Sequence, residues 1–171
     1  RYLELVWELP NYDCWEEHPE YLHPYSLSTV YSGFQTVSQW IKDGKMEPFS
    51  VPVESLANQV KELILKRGVK NGCLVKYFRP LNALDSSPLT VNDQVDSSLI
   101  GVTVPFQVLP ADDPIMVNSI RKIESELLRP GGGVYRYKAD VYYGGGEWLL
   151  LTAWLGWYYV SVNRLDEARS I

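Results

Sequence analysis

The segment from Glu147 to Asn163 constrains this chain most, because its run WLLLTAWLGWYYVSV is apolar almost all the way round a helix. Such a helix either sits in a core with neighbours on every side or crosses a membrane. A span needs ~18–20 consecutive apolar residues. This run is shorter and carries Thr152 and Gly156, so the reading is an inner helix of a layered core, buried all round.

The other helical stretches have a different character. One starts near Ser26 or Ser28, places Leu27, Val30, Tyr31, Phe34, Val37 and Ile41 at helical spacing, and ends at Asp43-Gly44. A second opens at Pro52 and Glu54, carries Leu56, Val60, Leu63 and Ile64 on one stripe, and stops at Arg67-Gly68. A third has Pro114 at its first turn behind the capping Asp112-Asp113, buries Met116, Ile120, Ile123 and Leu127, and ends at Arg129-Pro130-Gly131. Residues 1–9 read as a helix tail stopped by Pro10.

Between these lie Cys73 to Phe78 (CLVKYF) as a short strand, a polar loop from Asn82 to Asn92, and an ambiguous apolar segment from Val95 to Val104. An extended piece from Gly131 to Asp140 puts Val134, Arg136 and Lys138 on one face and Tyr135 and Tyr137 on the other. Strand content is too small for a central sheet. One-striped helices beside a helix apolar all round, joined by loops rich in Gly, Pro and aromatics, imply two concentric helical layers with a site built by the loops at one end. The fold class is all-α, and residues 1–171 read as a single domain.

Composition narrows the function. The chain has 46% hydrophobic and 22% charged residues, as an ordinary folded protein does. Its 12 Tyr and 6 Trp against 4 Phe suit sugar-lined clefts, and equally plain core and interface use. A net charge of -5 argues against a nucleic-acid partner, and no apolar run suits a membrane span. The first residue is Arg1, so the N-terminus carries no targeting information, and a cytoplasmic location is the expectation. Cys14, Cys73, His18 and His23 lack metal-ligand spacing, so neither a zinc site nor a disulfide framework is expected.

Two clusters could do chemistry. Glu16 and Glu17 are adjacent, so their side chains do not share a face. They cannot be the opposed acid and base of an inverting glycosidase, whose carboxyls stand ~6.5–9.5 Å apart. At most one of them acts on a bond. Trp15 beside them would exclude water and raise a carboxyl pKa, as a general acid requires; a solvated acidic turn is the competing account. In the second cluster, Arg136 and Asp140 share a face if the segment stays extended, and with Tyr142, Tyr143 and Trp148 they could hold sugar hydroxyls. Gly144-Gly145-Gly146 before Glu147 lacks the Lys-Ser/Thr of a phosphate loop, and an acidic residue there opposes an anion. Glu147 also suits a helix N-terminus for electrostatic reasons alone. Ser26, Ser28 and His23 show no nucleophile-elbow pattern.

LPNYDCWEE (Leu9 to Glu17) resembles the general-acid motif of glycoside hydrolase family 15, the glucoamylases and their glucodextranase and trehalase relatives. GGVYRYKADVYYGGGEWLLLTAWLGWYY (Gly132 to Tyr159) resembles the family's Arg-Tyr-x-x-Asp-x-Tyr-Tyr loop and the helix after it. Asp96-Ser97-Ser98-Leu99 and LPADDP (Leu109 to Pro114) fit its bacterial and archaeal branch. The resemblance implies Glu16 as the general acid and Glu17 as a ligand for the leaving-group sugar. It implies Asp13 and Trp15 shaping the site, Arg136 binding sugar hydroxyls with Asp140 orienting it, and Trp148 as an apolar wall. Cys14 stands where better-known members often have Leu, and Gly146-Glu147 where they have Asn-Pro or similar, so Glu147 is a branch-specific candidate for sugar binding.

The resemblance further implies an α/α toroid of six helical hairpins, for which 171 residues supply about half. The catalytic base would lie after Ile171, so the isolated chain is expected to lack turnover and to associate with itself through the apolar seam of an incomplete toroid. The leading expectation is an inverting, exo-acting, glucoamylase-like enzyme on an α-linked glucose oligosaccharide or disaccharide. A trehalase is the alternative within the same chemistry, and a non-catalytic sugar-binding or assembly module is the alternative outside it. A terpenoid cyclase would need Asp-rich metal-diphosphate motifs, which the chain lacks.

Overall fold

The computed structural model describes residues 2–80 and 91–171, so most of the expected polar loop Asn82 to Asn92 lies outside the described residues. In chain order the helices are α1 (Tyr2–Val6), α2 (Pro24–Lys42), α3 (Val53–Arg67), α4 (Pro114–Leu127), α5 (Leu149–Ser161) and α6 (Leu165–Arg169). Four two-residue strands, β1 (Val69–Lys70), β2 (Cys73–Leu74), β3 (Tyr77–Phe78) and β4 (Val91–Asn92), make two separate antiparallel pairs. About half of the described residues are helical. The helical expectation is met in outline.

The helix limits follow from local chemistry. His23 caps α2 in an extended conformation, with Pro24 at the first helical position, where its missing N–H costs nothing. In α4 the Asp113 carboxylate accepts from the Ile115 N–H at 2.8 Å, and Pro114 again opens the helix. Val53, Leu56, Ala57, Val60 and Ile64 of α3 form its buried stripe, and α3 packs mainly on α2. α4 buries Met116, Ile120, Ile123 and Leu127, as the periodicity predicts.

The ambiguous segment becomes a 3-10 helix, Ser97–Val102, in which every residue is buried. It touches α2, α4 and α5, so it lies at the centre of the packing. Gly101 within it lets the two aromatic rings approach closely: a Cβ there would stand 3.1 Å from Phe106 and 3.2 Å from the Tyr25 ring.

Three expectations change. The run CLVKYF is not one strand. β2 pairs back on β1 through Asn71 and Gly72, both left-handed (φ 53 and 72), which is the two-residue Asn-Gly hairpin turn, while β3 pairs with β4. Helix α5 begins at Leu149 rather than Glu147, because Glu147 is held extended by a bridge to Tyr135. Nor is α5 buried all round. Leu151, Leu155, Tyr158 and Tyr159 face the core, whereas Leu149 is 88% exposed and Leu150, Trp157 and Val160 are also exposed. The all-apolar sequence thus marks two apolar faces, one of them uncovered by the described residues.

Buried side chains from α2, α3, α4, α5 and the 3-10 helix form one hydrophobic cluster. Ile123 is fully buried in it, and Ile123→Ala is expected to lower the unfolding free energy by about 2–5 kcal/mol through lost transfer energy and a residual cavity. Urea denaturation of the two proteins measures the difference.

Candidate functional site

The acidic run folds as a tight turn organised by Asp13. Its Oδ1 accepts from the backbone N–H of Trp15 at 2.8 Å and of Glu17 at 2.9 Å, and its carbonyl accepts from Glu16 N–H at 3.2 Å. Glu16 (φ 59) and His18 (φ 52) are left-handed, a conformation that non-glycine residues adopt rarely and at functional turns disproportionately. Asp13 itself is buried.

This turn separates the two glutamates. The Glu16 carboxylate is exposed and has no hydrogen bond or ion pair among the described residues. Glu17 is half-buried and tied down: Oε1 accepts from the Tyr137 hydroxyl at 2.7 Å, and Oε2 lies 3.5 Å from the Lys76 ammonium. The expectation that Trp15 would shield an acidic neighbour fails for Glu16. The Trp15 indole N–H is committed to Asp96, 3.1 Å from Oδ2, and its ring meets Trp148 edge-on with centroids 5.4 Å apart.

The second motif supplies the opposite wall. Arg136 is buried, and its guanidinium grips Asp140 through two bonds, Nε to Oδ2 at 2.7 Å and Nη2 to Oδ1. The pairing does not come from an extended segment, which would carry residues four apart beyond reach. The chain turns instead, with Asp140 N–H donating to the Tyr137 carbonyl at 3.2 Å. Gly145 closes the loop: at φ 77 its Cα passes the Asp140 carbonyl so closely that a Cβ would stand 3.0 Å from that oxygen. Trp15, Tyr137, Tyr142 and Trp148 surround the Arg136 guanidinium at 5.0–5.3 Å from their centroids.

Together these residues line a cleft of about 400 Å³, formed by Cys14, Trp15, Glu16, Glu17, Arg136, Tyr137, Val141, Tyr142 and Trp148. Of the residues singled out in the sequence, Trp15, Glu16, Glu17, Arg136 and Trp148 are in the lining. Asp13 lies beneath the acidic turn and Asp140 behind Arg136. Glu147 is outside the lining, its carboxylate folded over Gly133.

Several residues that sequence reasoning missed complete the site. Lys76 is buried at 3.2 Å from Asp96 Oδ2 and 3.5 Å from the centre of the Tyr137 ring. Asp96 caps the 3-10 helix through Ser98 N–H at 2.9 Å and takes the Ser98 hydroxyl at 2.6 Å. The one available signal for Lys76 was a lone cation inside an otherwise apolar run, and for Asp96 the Asp-Ser-Ser cap pattern.

The electrostatics follow this geometry. The hydrogen bond to Asp140 raises the already high pKa of Arg136, and the same bond holds Asp140 below the usual carboxylate range. Burial, then the bond to Glu17, pushes the Tyr137 phenol up, so it remains a donor. Burial, followed by the charges of Asp96 and Asp13, pushes the Cys14 thiol up and leaves it protonated. No group of three or more His, Cys, Asp or Glu side chains among the described residues is arranged to hold a metal ion, and no described helix is long and apolar enough to cross a membrane.

Loops of a helical frame thus gather one exposed carboxylate, two tryptophans and a charge-balanced arginine around one cleft. The chain belongs to the glycosyl hydrolases family 15, whose sequence profile matches residues 1–170. It is 37% identical over 156 residues to an isomaltose glucohydrolase of Kribbella flavida, which covers 91% of this chain and 37% of that protein. It is 28% identical over 168 residues to trehalase 2 of Sulfolobus acidocaldarius, covering 95% of this chain and 27% of the relative. A solved wild-type glycosidase superposes with a TM-score of 0.83 at 34% identity over 99% of this chain and 42% of the other, and a variant glycosidase in complex with glucose does so equally well. The chain therefore spans well under half the length of these relatives.

Beneath the acidic turn, His23 is buried with Nε2 3.1 Å from the His18 carbonyl, which places the proton of the neutral ring on Nε2. Its Nδ1 and Asp13 Oδ2 are the buried side-chain atoms without a hydrogen bond among the described residues. Burial lowers the His23 pKa from its ordinary 6.5, against the opposing pull of Asp13. The unfolded chain then binds more protons than the fold, so stability is expected to fall as pH drops below about 6.5 and to go on falling through the depressed folded value. An NMR titration of the His23 ring checks this; a midpoint above the ordinary histidine value contradicts it.

Proposed function

We propose that this chain is part of the catalytic domain of a glycosidase that cleaves α-linked glucosides, with Glu16 as its general acid. One observation carries this reading: of two adjacent carboxylates at the cleft, Glu17 is anchored by Tyr137 and Lys76, while Glu16 is left exposed and uncommitted at the mouth. A proton donor to a glycosidic oxygen must reach the substrate unencumbered. Glu17 serves as a fixed acceptor for hydroxyls of the leaving sugar. Arg136, made rigid by Asp140, donates to hydroxyls of the bound glucose, and Trp15 and Trp148 form the apolar floor and wall. Asp13 holds the turn. Glu147, outside the lining, takes a role only if substrate extends past Trp148.

The reaction is of the inverting, exo-acting, glucoamylase-like kind. The only carboxylates lining the cleft among the described residues are Glu16 and Glu17, and neighbours in sequence cannot stand on opposite faces of one sugar ring. The base comes from chain beyond these residues, and the isolated chain is inactive alone. The architecture is about half of an α/α toroid, in which further helices cover the exposed face of α5. No metal or organic cofactor takes part in this scheme. The names of the relatives favour a glucose disaccharide, isomaltose or trehalose, over a long oligosaccharide. A non-catalytic sugar-binding or assembly module is the second reading, favoured by the same lack of an opposed carboxylate.

In the intact protein, hydrolysis of the preferred disaccharide is expected to release β-glucose first, read by proton NMR of the anomers. Glu16→Gln is expected to lower kcat about 10²–10⁴-fold with a small change in KM, the usual size of a general-acid contribution. Sugar binding without any product release supports the module reading and sinks the enzymatic one.

Self-association of the isolated chain follows from Leu149, Leu150, Trp157 and Val160, a contiguous exposed apolar surface on α5. Sedimentation equilibrium over rising concentration is expected to show a dimer or larger species. A strictly monomeric profile contradicts it.

A further inference from the structure

We infer that Lys76 is a positioning residue that sets the cleft's preference for a sugar leaving group, acting through Glu17. The inference rests on the glycosidase reading above. Lys76 sits at the bend between β2 and β3, beside the fully buried Val75, and its backbone is anchored by the N–H bond to the Asn92 carbonyl at 2.8 Å. Its side chain is only 6% exposed, so its ammonium has exchanged water for protein partners. Those partners are Asp96 at 3.2 Å, Glu17 at 3.5 Å and the face of Tyr137 at 3.5 Å.

The arrangement holds Glu17 from both sides. Tyr137 donates to Oε1 and Lys76 faces Oε2, and Tyr137 is itself packed against Lys76. The ammonium stands between two carboxylates, Asp96 at 3.2 Å and Glu17 at 3.5 Å, while Trp15 and Ser98 hold Asp96 in place with further bonds. A glutamate fixed in this way is a standing acceptor with its remaining lone pairs turned to the cleft, ready for hydroxyls without reorganisation. Without Lys76, two carboxylates would face each other across a low-dielectric gap, and Glu17 would swing out of register. A merely structural Lys76–Asp96 pair would influence every substrate alike. A positioning residue acting through Glu17 influences only those substrates whose leaving group is a sugar.

The test compares the preferred disaccharide with α-glucosyl fluoride, whose leaving group makes no sugar contacts, in the intact protein. Lys76→Gln is expected to lower kcat/KM for the disaccharide about 10–100-fold, mainly through KM, the usual weight of hydrogen bonds to a charged group. The fluoride is expected to lose less than about threefold. Lys76→Arg keeps the charge and the fold but puts a longer, planar donor in place of a compact ammonium. It is expected to show the same selective loss at smaller size, and it carries the test if the Gln variant does not fold. Equal losses on both substrates, or no loss on either, overturn the inference while leaving the glycosidase reading intact. A wild type that cleaves neither substrate refutes that reading and the inference with it.

Discussion

One buried carboxylate, that of Asp96, joins parts of the chain that are otherwise far apart. It caps the central 3-10 helix, receives the indole N–H of Trp15 from the acidic turn, and faces the ammonium of Lys76 from the bend between the β pairs. A bridge from its backbone to Tyr137 brings in the second motif as well. An ionised group with so little exposure is tolerable only when donors surround it, and these donors come from three separate segments. The cleft exists because they converge on one anion.

The same economy of charge runs through the rest of the site. Arg136 is balanced by Asp140, Lys76 by Asp96 and Glu17, and Glu17 is also held by a phenol. Of the two carboxylates that line the cleft among the described residues, Glu17 is thus tied down and Glu16 is left uncommitted. The different surroundings of two adjacent, chemically identical side chains come from the partners of Glu17 and from the left-handed backbone of Glu16.

The helices were legible in the sequence because their stripes repeat with helical spacing: Leu56, Val60 and Ile64 of α3 and Met116, Ile120, Ile123 and Leu127 of α4 are buried as read. The two motifs also pointed to Trp15, Glu16, Glu17, Arg136 and Trp148, which do meet in one cleft. What could not be read was set by contacts distant in sequence. Lys76 and Tyr137 reach Glu17 across 59 and 120 positions respectively, and no periodicity encodes that. Two misses were local. The Asn71-Gly72 turn that folds Cys73-Leu74 back on Val69-Lys70 is a standard hairpin signal, and an apolar circumference like that of α5 fits two apolar faces as well as burial on all sides.

Gly145 shows how narrowly the second motif is drawn. Its positive φ and the closeness of the Asp140 carbonyl disfavour a side chain for two independent reasons. The loop between the arginine's anchor and the tryptophan wall consequently has a fixed girth. An alanine at this position would be strained by its backbone and would press on the carbonyl of Asp140, the residue whose carboxylate grips Arg136.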